Sequence, residues 1–543
     1  MSNSSRLRNW FPLIGALLLV AGMWIGYLLA DGDKLTPAQK KLNEILGIIQ
    51  DEYVEEINED SLVEMTIPEM IRNLDPHSLY IAVEDLEKVN RDLESSFFGI
   101  GIQFQLMQDS ICVVEVISGG PAEHVGMLAG DRIIEVDGKN MTGKTITNED
   151  VMKNLRGQKD TEVSVKVKRS TSAKPLTFTI VRGEIPSVSV DASYLINDTV
   201  GYVRINKFAA NTYAEFIQSF NALRVKGARN YILDLRGNSG GLLDQAILMA
   251  NEFLPPMQTI VNVRGRKVQE DANWLSDGNG IFADAQLVIL VDEFTASSSE
   301  IVAGAIQDND RGLIVGRRTF GKGLVQRGIT LSDSSQMRLT VQRYYTPSGR
   351  CIQKDYTPGA NDDYQSEILD RYSNGEVFSA DSIKVDQSKV FVTRGGRTVY
   401  GGGGIIPDVF VPSDTSFVTN YYLAVANSGL LIKFAYEYAD LNRSELAKAK
   451  NVEQLLKRLP PNGVLLGSLV DYAAQNGVAK RWYYINISAP LIVNQLKALI
   501  ARDILGMNAY FQIVNEKDPV VLEAIKQLSL GIDDVIESHK KIN

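Results

Sequence analysis

The spacing of hydrophobic positions changes along the chain, and the changes predict regions of different structure. Residues 31–95 are polar with apolar side chains at helical spacing, which predicts an N-terminal helical region. Residues 97–183 are predicted as short strands with a small helix at Pro121 and a longer helix, NEDVMKNLRG. Residues 188–350 alternate buried strands with helices, a pattern typical of an α/β layer, and residues 414–543 are largely helical. The fold class is therefore α/β and multidomain.

Two stretches interrupt or close the α/β pattern. The segment from Gln353 to Asp386 is polar and rich in Asp, Tyr and Ser, which predicts an insertion or a long loop. The sequence GGRTVYGGGGIIPDVFV at 395–411 then closes the α/β region.

The N-terminus carries a candidate membrane anchor. Arg6 and Arg8 precede an apolar run over residues 10–30, which at about 1.5 Å per residue can cross a hydrocarbon core of about 30 Å. The positive flank stays cytoplasmic. We therefore expect a cytoplasmic tail at 1–9, one inner-membrane helix and the rest in the periplasm. A cleaved signal peptide is the alternative, because Ala30 ends the run with a small residue.

Composition excludes several classes of protein. At 543 residues the chain is too long for one core, and its net charge of -10 argues against nucleic-acid binding. Cys112 and Cys351 fall in different predicted domains, so a disulfide framework is not expected, and no CxxC pattern indicates a metal site. We expect no metal and no cofactor.

The stretch TASSSEIVAGAIQDNDRGLIVGRRTFGKGLVQ holds the candidate chemistry. Ser297 stands at a predicted helix start and Lys322 follows between glycines, while the whole chain has three histidines. A serine and a lysine can act as nucleophile and base without histidine. The other interpretation of Ser297 is a capping box with Glu300. From the residues alone, Ser298 and Ser299 also remain candidates for the nucleophile.

Lys322 can act as a base only if its amine is neutral. Burial in an apolar site would depress its pKa, and the flanking glycines allow close backbone approach. The alternative is a surface lysine in a turn. Gln326, four residues on, is a candidate for orienting the amine, or else an ordinary polar residue.

Two further motifs resemble known sites but lack essential parts. The sequence from Gly316 to Lys322 begins like a phosphate-binding P-loop, but Gly323 replaces the Ser or Thr that would bind magnesium. Ser239, in GNSGG, stands in a turn like the nucleophile turn of chymotrypsin-like proteases. No upstream histidine occupies a barrel strand. This glycine turn is better interpreted as a source of backbone N–H donors.

Residues 96–184 resemble a PDZ domain. The ordered features are a glycine-bearing strand entry, a small helix at Pro121, and the segment GDRIIEVDG. In such domains a peptide adds as an extra strand and its terminal carboxylate meets backbone N–H groups of the entry loop. That loop would comprise Phe98, Gly99, Ile100, Gly101 and Ile102. The resemblance implies protein or peptide partners with apolar C-termini.

Residues 40–410 together resemble the C-terminal processing peptidases, or tail-specific proteases. The motifs in family order are LDPHS, the PDZ domain, LDLRGNSGG, the serine run, TFGKGLVQ, YYTPSGRCIQ and YGGGGIIPD. The family usually reads S-A-S-A-S-E where this chain has T-A-S-S-S-E. The middle serine is therefore Ser297, and Ser298 replaces an alanine.

The resemblance implies roles for individual residues in a crotonase-like peptidase domain at 185–413. Ser297 would be the nucleophile, Lys322 the general base and Gln326 the residue that orients it. The oxyanion donors would be the backbone N–H of Gly240 or Gly241 and of Ser298. Arg156 would couple the PDZ domain to the catalytic domain, and Asp308 would be structural.

These expectations combine into one function and one alternative. We expect a serine endopeptidase that recognises C-terminal tails of periplasmic or envelope proteins and cleaves them with a Ser-Lys dyad. The alternative is a catalytically silent PDZ scaffold that binds the same tails. The family often dimerises through terminal helices, which makes a homodimer a further expectation for residues 414–543.

Overall fold

The structure, a computed structural model, describes residues 15–24, 35–90, 96–107, 110–117, 119–143, 145–169 and 172–542. The chain divides into two compact units, Met1–Ile71 and Arg72–Asn543. The first contains a helix over 15–24 (α1), then α2 (Pro37–Glu52), and it ends within α3 (Glu59–Arg72). A capping box between Thr36 and Gln39 begins α2.

Among the helices of the described residues, none combines the length and the apolar character needed to cross a membrane. The expected span over 10–30 lies outside the described residues except for 15–24, which is helical. The membrane anchor therefore stays a prediction from the sequence.

The second unit is built around a mostly parallel sheet. Its strand order is β10-β11-β12-β15-β16-β21, and β10 alone runs antiparallel to its described neighbour. The bounds are β10 (Val190–Leu195), β11 (Val200–Ile205), β12 (Asn230–Asp234), β15 (Gln286–Val291), β16 (Leu313–Gly316) and β21 (Val409–Phe410). The buried runs in the sequence anticipated β11, β12, β15 and β16.

Helices cover both faces of this sheet, as a parallel sheet requires. One face packs Leu233 and Ile289 against α7 (Thr212–Val225), α8 (Leu243–Asn251) and α9 (Ser298–Asp308). The other face packs Ile232, Val288 and Leu290 against α18 (Pro519–Leu530) and α19 (Ile532–Ile542). The last helices of the chain therefore complete the peptidase core, a role that the sequence did not reveal.

A second sheet lies beside the first and is antiparallel. Its order is β1-β18-β13-β14, with β17 also paired to β18. The bounds are β1 (Leu79–Ile81), β13 (Thr259–Gly265), β14 (Ala272–Leu275), β17 (Leu324–Thr330) and β18 (Gln336–Tyr345). The sequence pattern placed β1 in a helical region. Its three residues are too few to show a strand period, and only pairing with β18 makes them a strand.

The region that resembles a PDZ domain forms a sheet of its own. The order is β3-β4-β5-β7-β8 with β6 on β5, and β2 pairs separately with β9. The bounds are β2 (Ser96–Gly99), β3 (Ile102–Met107), β4 (Ser110–Val116), α5 (Pro121–His124), β5 (Arg132–Val136), β6 (Lys139–Asn140), α6 (Asn148–Leu155), β7 (Glu162–Lys168), β8 (Leu176–Val181) and β9 (Gly183–Pro186). The single strand expected from FFGIGIQFQL is broken at Gly101, whose φ is +78°.

A helical bundle follows the peptidase region and touches the back of this sheet. Its helices are α11 (Asn420–Asn427), α12 (Leu430–Leu441), α13 (Arg443–Leu446), α14 (Val452–Leu456), α15 (Asn462–Gln475), α16 (Trp482–Leu505) and α17 (Met507–Asn515). Tyr436 packs on Cys112 of β4, both fully buried, and its hydroxyl donates to Val113 O at 3.4 Å. Arg132 and Asp440 face each other across the same boundary at 3.9 Å.

The segment expected to be an insertion or loop is partly helical. It contains α10 (Asn361–Ser373), whose Arg371 is buried and donates to the Thr319 carbonyl at 2.8 Å. Its polar side chains satisfy buried backbone groups, and this explains why the composition resembles a loop. The remaining short elements are α4 (Leu86–Asn90), β19 (Val390–Val392), β20 (Thr398–Tyr400), and 3-10 turns at Val83–Asp85, Val268–Glu270 and Ala380–Ser382.

Candidate active site

The carboxyl ends of β12 and β15 bring the glycine turn and the serine run together. Ser297 is the N-cap of α9 and has φ +55° and ψ -116°, a backbone conformation that costs energy for a residue with a Cβ. Gly240 lies directly against it. A Cβ on Gly240 would stand 2.7 Å from Ser297 Cβ and 2.8 Å from Ala296 O.

One cavity of about 810 Å³ collects the catalytic and oxyanion candidates. Those that line it are Ser297, Ser298, Lys322, Gln326, Gly240 and Gly241. Apolar side chains of Leu242, Leu243 and Ile301 form part of its wall. Ser297 and Lys322, which are 25 positions apart in sequence, therefore line the same cavity.

Glu300 joins the segments of Ser297 and Lys322. Its buried carboxylate accepts the backbone N–H of Ser297 at 2.8 Å and of Lys322 at 2.9 Å. It also accepts from Gly321 N at 2.8 Å and from the Thr319 hydroxyl at 2.5 Å. The sequence identified Glu300 only as a helix cap. The bonds to residues 319–322 depend on tertiary contact and have no local signal.

Burial raises the pKa of Glu300 to about 7, although the hydrogen bonds from Thr319, Lys322, Gly321 and Ser297 each act to lower it. The proton therefore leaves this carboxyl near neutral pH.

Tyr344 joins the same two segments through their carbonyl groups. Its hydroxyl contacts the carbonyl oxygens of Ser297, at 3.1 Å, and of Lys322. Burial raises the pKa of Tyr344 well above its usual value, so the hydroxyl keeps its proton. The motif YYTPSGR contains this residue, but nothing in its spacing indicates the contact.

The environment of Lys322 favours a neutral amine. Burial lowers the pKa of Lys322, and Arg338 lowers it further, while the carboxylates of Glu300 and Asp75 oppose the shift. Arg338 lines the same cavity and donates to Asn90 Oδ1 at 2.6 Å. Lys322 therefore meets the condition stated in the sequence analysis for a lysine that acts as a base, because its amine is buried.

Of Gly240 and Gly241 in the glycine turn, one has an N–H group that is already hydrogen-bonded. The N–H of Gly240 donates to Asn238 Oδ1 at 2.9 Å, so it is already engaged. Within the described part of the chain, the N–H groups of Gly241 and Ser298 have no acceptor. Of the two glycines left open by the sequence, Gly241 is therefore the one whose N–H is available to a further acceptor.

The other candidate nucleophiles are placed differently. Ser298 Oγ donates to Gly241 O at 2.9 Å and Ser299 Oγ donates to Asn238 O at 3.0 Å, so both hydroxyls are engaged in structural bonds. Ser239 lines the cavity. His77 is bonded elsewhere, since its ring Nε2 and the Tyr364 hydroxyl are 2.8 Å apart. Burial is the main cause that lowers the pKa of His77, to about 3.

The entry loop of the PDZ region lies apart from the cavity. Phe98 and Gly99 end β2, Ile102 begins β3, and the N–H groups of Ile100 and Gly101 have no acceptor among the described residues. The guanidinium of Arg156 stacks over the Phe97 ring at 4.3 Å. Arg156 therefore supports the strand that leads into the loop, and its coupling role stays a prediction.

Asp308 lies away from the cavity. Its carboxylate forms an ion pair with Arg350 at 2.7 Å, and both side chains are fully buried. It also accepts from the Ser348 hydroxyl at 2.7 Å. These contacts fit a structural role.

Family models match three parts of the chain. Residues 199–366 match peptidase family S41, residues 99–180 match the PDZ domain, and residues 421–506 match a family of unknown function (DUF8443). The resemblance drawn from the sequence is thereby confirmed.

Two solved structures are similar to parts of this chain. The photosystem II D1 C-terminal processing protease is 29% identical, with a TM-score of 0.33, and covers 59% of this chain and 91% of its own. The PDZ domain of a Vibrio cholerae carboxy-terminal protease, solved with a peptide, is 31% identical with a TM-score of 0.16, and covers 17% and 99%.

Curated relatives match most of their own length. A carboxy-terminal-processing protease of Bartonella bacilliformis is 35% identical over 317 residues, which are 58% of this chain and 72% of the relative. A probable CtpA-like serine protease of Staphylococcus haemolyticus is 32% identical over 65% of this chain and 73% of its own. The chain belongs to the carboxy-terminal-processing proteases, serine peptidases of family S41 that carry a PDZ domain.

Proposed function

We propose that this peptidase cleaves proteins with a Ser297–Lys322 dyad after its PDZ domain has bound an apolar C-terminal tail. The observation that carries the proposal is the cavity, which Ser297 and the buried amine-bearing Lys322 both line. The depressed pKa of Lys322 supports its role as base, because the amine must be neutral to accept a proton.

The proposed reaction follows the acyl-enzyme route. Ser297 Oγ attacks the scissile carbonyl and gives its proton to Lys322 Nζ. The N–H groups of Gly241 and Ser298 stabilise the oxyanion, and Lys322 then protonates the leaving amine. Water, deprotonated by the same amine, then attacks the acyl carbon, the bond to Ser297 Oγ breaks, and Lys322 returns the proton to that oxygen. Gln326 orients the amine of Lys322 by accepting one of its hydrogens.

Binding of the tail is proposed for the entry loop of the PDZ domain. The open N–H groups of Ile100 and Gly101 suit a terminal carboxylate, and a strand can add beside β3. The location in the periplasm, behind an anchor at 10–30, rests on the sequence pattern of Arg6, Arg8 and the apolar run.

The test is cleavage of a loosely folded protein with an apolar C-terminus. Wild type is compared with Ser297→Ala and Lys322→Ala, and Lys457→Ala serves as control because that lysine is exposed and pairs with Glu453. We expect turnover by wild type and the control and none by the other two. Cleavage by the Lys322→Ala protein would reject the dyad, and tail binding without any cleavage would favour the scaffold.

A further inference from the structure

The side chain of Gln326 is hydrogen-bonded to Thr340, which is in turn hydrogen-bonded to Asp75. Its Nε2 donates to Thr340 Oγ1 at 3.4 Å, and Thr340 Oγ1 donates to Asp75 Oδ1 at 3.0 Å. Gln326 and Thr340 are opposite each other in the register of β17 and β18. Asp75 stands in the turn before β1, which pairs with the same strand β18. Two paired strands and the turn before a third thus contribute one residue each to this hydrogen-bonded chain, which we call the relay.

Asp75 is surrounded by donors. Its carboxylate accepts from the N–H of His77 at 2.9 Å, from the N–H of Ser78 at 2.8 Å and from the Ser78 hydroxyl at 2.6 Å, besides Thr340. Burial alone would raise the pKa of Asp75, but the hydrogen bonds from Ser78, His77 and Thr340 outweigh it and hold the pKa below its usual value. The carboxylate is therefore ionised and accepts hydrogen bonds only.

Because the Asp75 carboxylate is ionised and can only accept, it determines which group donates in each hydrogen bond between Asp75, Thr340 and Gln326. A threonine hydroxyl has one proton, and at Thr340 that proton goes to Asp75. Toward Gln326 the hydroxyl can therefore only accept. The amide nitrogen of Gln326 must face Thr340, and its oxygen takes the opposite end. Gln326 shares the cavity with Lys322, whose amine carries the hydrogens that this oxygen can accept.

We propose that Asp75 and Thr340 are positioning residues for the peptidase reaction, which fix the Gln326 amide with its oxygen available to the Lys322 amine. The proposal rests on the proposed function, in which Gln326 orients that amine. It gives a role to the segment LDPHS, which precedes the PDZ domain in sequence yet completes the peptidase site. Asp75 is not among the residues that line the cavity, and in this proposal it acts on Gln326 through Thr340.

A double-mutant cycle tests the relay. Thr340→Val keeps the shape but removes the hydroxyl, and Thr340→Ser keeps the hydroxyl. We expect Thr340→Val to lower kcat about tenfold or more with unchanged KM, because a misoriented group loses rate rather than binding. Thr340→Ser should retain activity. In a Gln326→Ala background, Thr340→Val should cost nothing further, since its effect passes through the amide. Asp75→Asn should also lower kcat, but it removes in addition a charge that raises the pKa of Lys322, so its pH profile is measured beside that of Thr340→Val.

Thermal unfolding and binding of a tail peptide, measured on every variant, separate misfolding from misorientation. An equal loss from Thr340→Val in both backgrounds, or no loss in either, would overturn the relay while leaving the dyad intact. Full activity of Gln326→Ala beside inactive Ser297→Ala and Lys322→Ala would remove the role of Gln326 and the relay with it. The activities of Ser297→Ala and Lys322→Ala test the dyad, whereas the double-mutant cycle of Thr340 and Gln326 tests the relay. The two proposals therefore fail in different measurements.

Discussion

Gly240 and Ser297 are in such close contact that a single added methyl group cannot fit between them. With φ at +99°, Gly240 also holds a backbone conformation that other residues rarely adopt. The turn after β12 and the start of α9 are therefore fixed against each other, and the position of the serine hydroxyl depends on a residue without a side chain.

Replacing Gly240 should disable the enzyme. We expect Gly240→Ala to lower kcat/KM by at least about 100-fold, because its methyl displaces Ser297 from the cavity. Activity and melting temperature are measured together, with Gly463→Ala as control, since a Cβ on that helical glycine meets nothing within 4 Å. Wild-type activity of the Gly240→Ala protein would contradict the contact.

Glu300 should make stability depend on pH. Its pKa is about 7 in the folded protein against 4.5 when unperturbed, so the folded state holds a proton that the unfolded state has lost between these values. The stability contributed by the protonated group is complete below pH 4.5 and is lost as pH rises through 7, by about 3 kcal/mol.

Urea unfolding of wild type and Glu300→Gln across that range measures the effect. The variant should lose this slope, and it should also be inactive, because its amide presents hydrogens to N–H groups that need an acceptor. Glu453→Gln, at an exposed carboxylate paired with Lys457, should keep the slope. Parallel pH curves for wild type and Glu300→Gln would refute the assignment.

The charge state of Lys322 should govern the alkaline dependence of the rate. Since burial lowers its pKa, kcat/KM should rise with pH and level off below the ordinary pKa of lysine. Lys322→Arg should abolish cleavage at every pH, because a guanidinium keeps its proton. The pH profile of wild type and the activity of Lys322→Arg are the measurements, with Lys457→Arg as control. Residual cleavage by Lys322→Arg would exclude the lysine as base.

Contact between the PDZ sheet and the helical bundle should protect a thiol. Cys112 is fully buried against Tyr436, and burial raises the pKa of its thiol. In a Cys351→Ser protein, Cys112 is the remaining cysteine. We expect slow labelling by a thiol reagent, which Tyr436→Ala accelerates at least about tenfold and Tyr436→Phe does not. Fast labelling of Cys112 in the Cys351→Ser protein with Tyr436 intact would contradict a stable contact between the PDZ sheet and the helical bundle.

The sequence predicted the elements whose signals are local. Buried runs located β11, β12, β15 and β16, and the motif order led to Ser297, Lys322 and Gln326, which line one cavity. It missed β1, α10 and the roles of Glu300 and Tyr344. These depend on partners tens or hundreds of residues away, and neither periodicity nor spacing reports such contacts. The choice between Gly240 and Gly241 likewise required the bond to Asn238.

The helices α18 and α19 cover a face of the peptidase sheet, and this placement sets an order of events during synthesis. Strands carrying Ile232 and Val288 leave the ribosome long before Pro519 does, and until then that face has no cover. The core around the sheet on which α9 and Ser297 are placed is therefore complete only once α18 and α19 have been made. We therefore expect a chain that stops before Pro519 to expose the apolar side chains of this face and to aggregate rather than to fold.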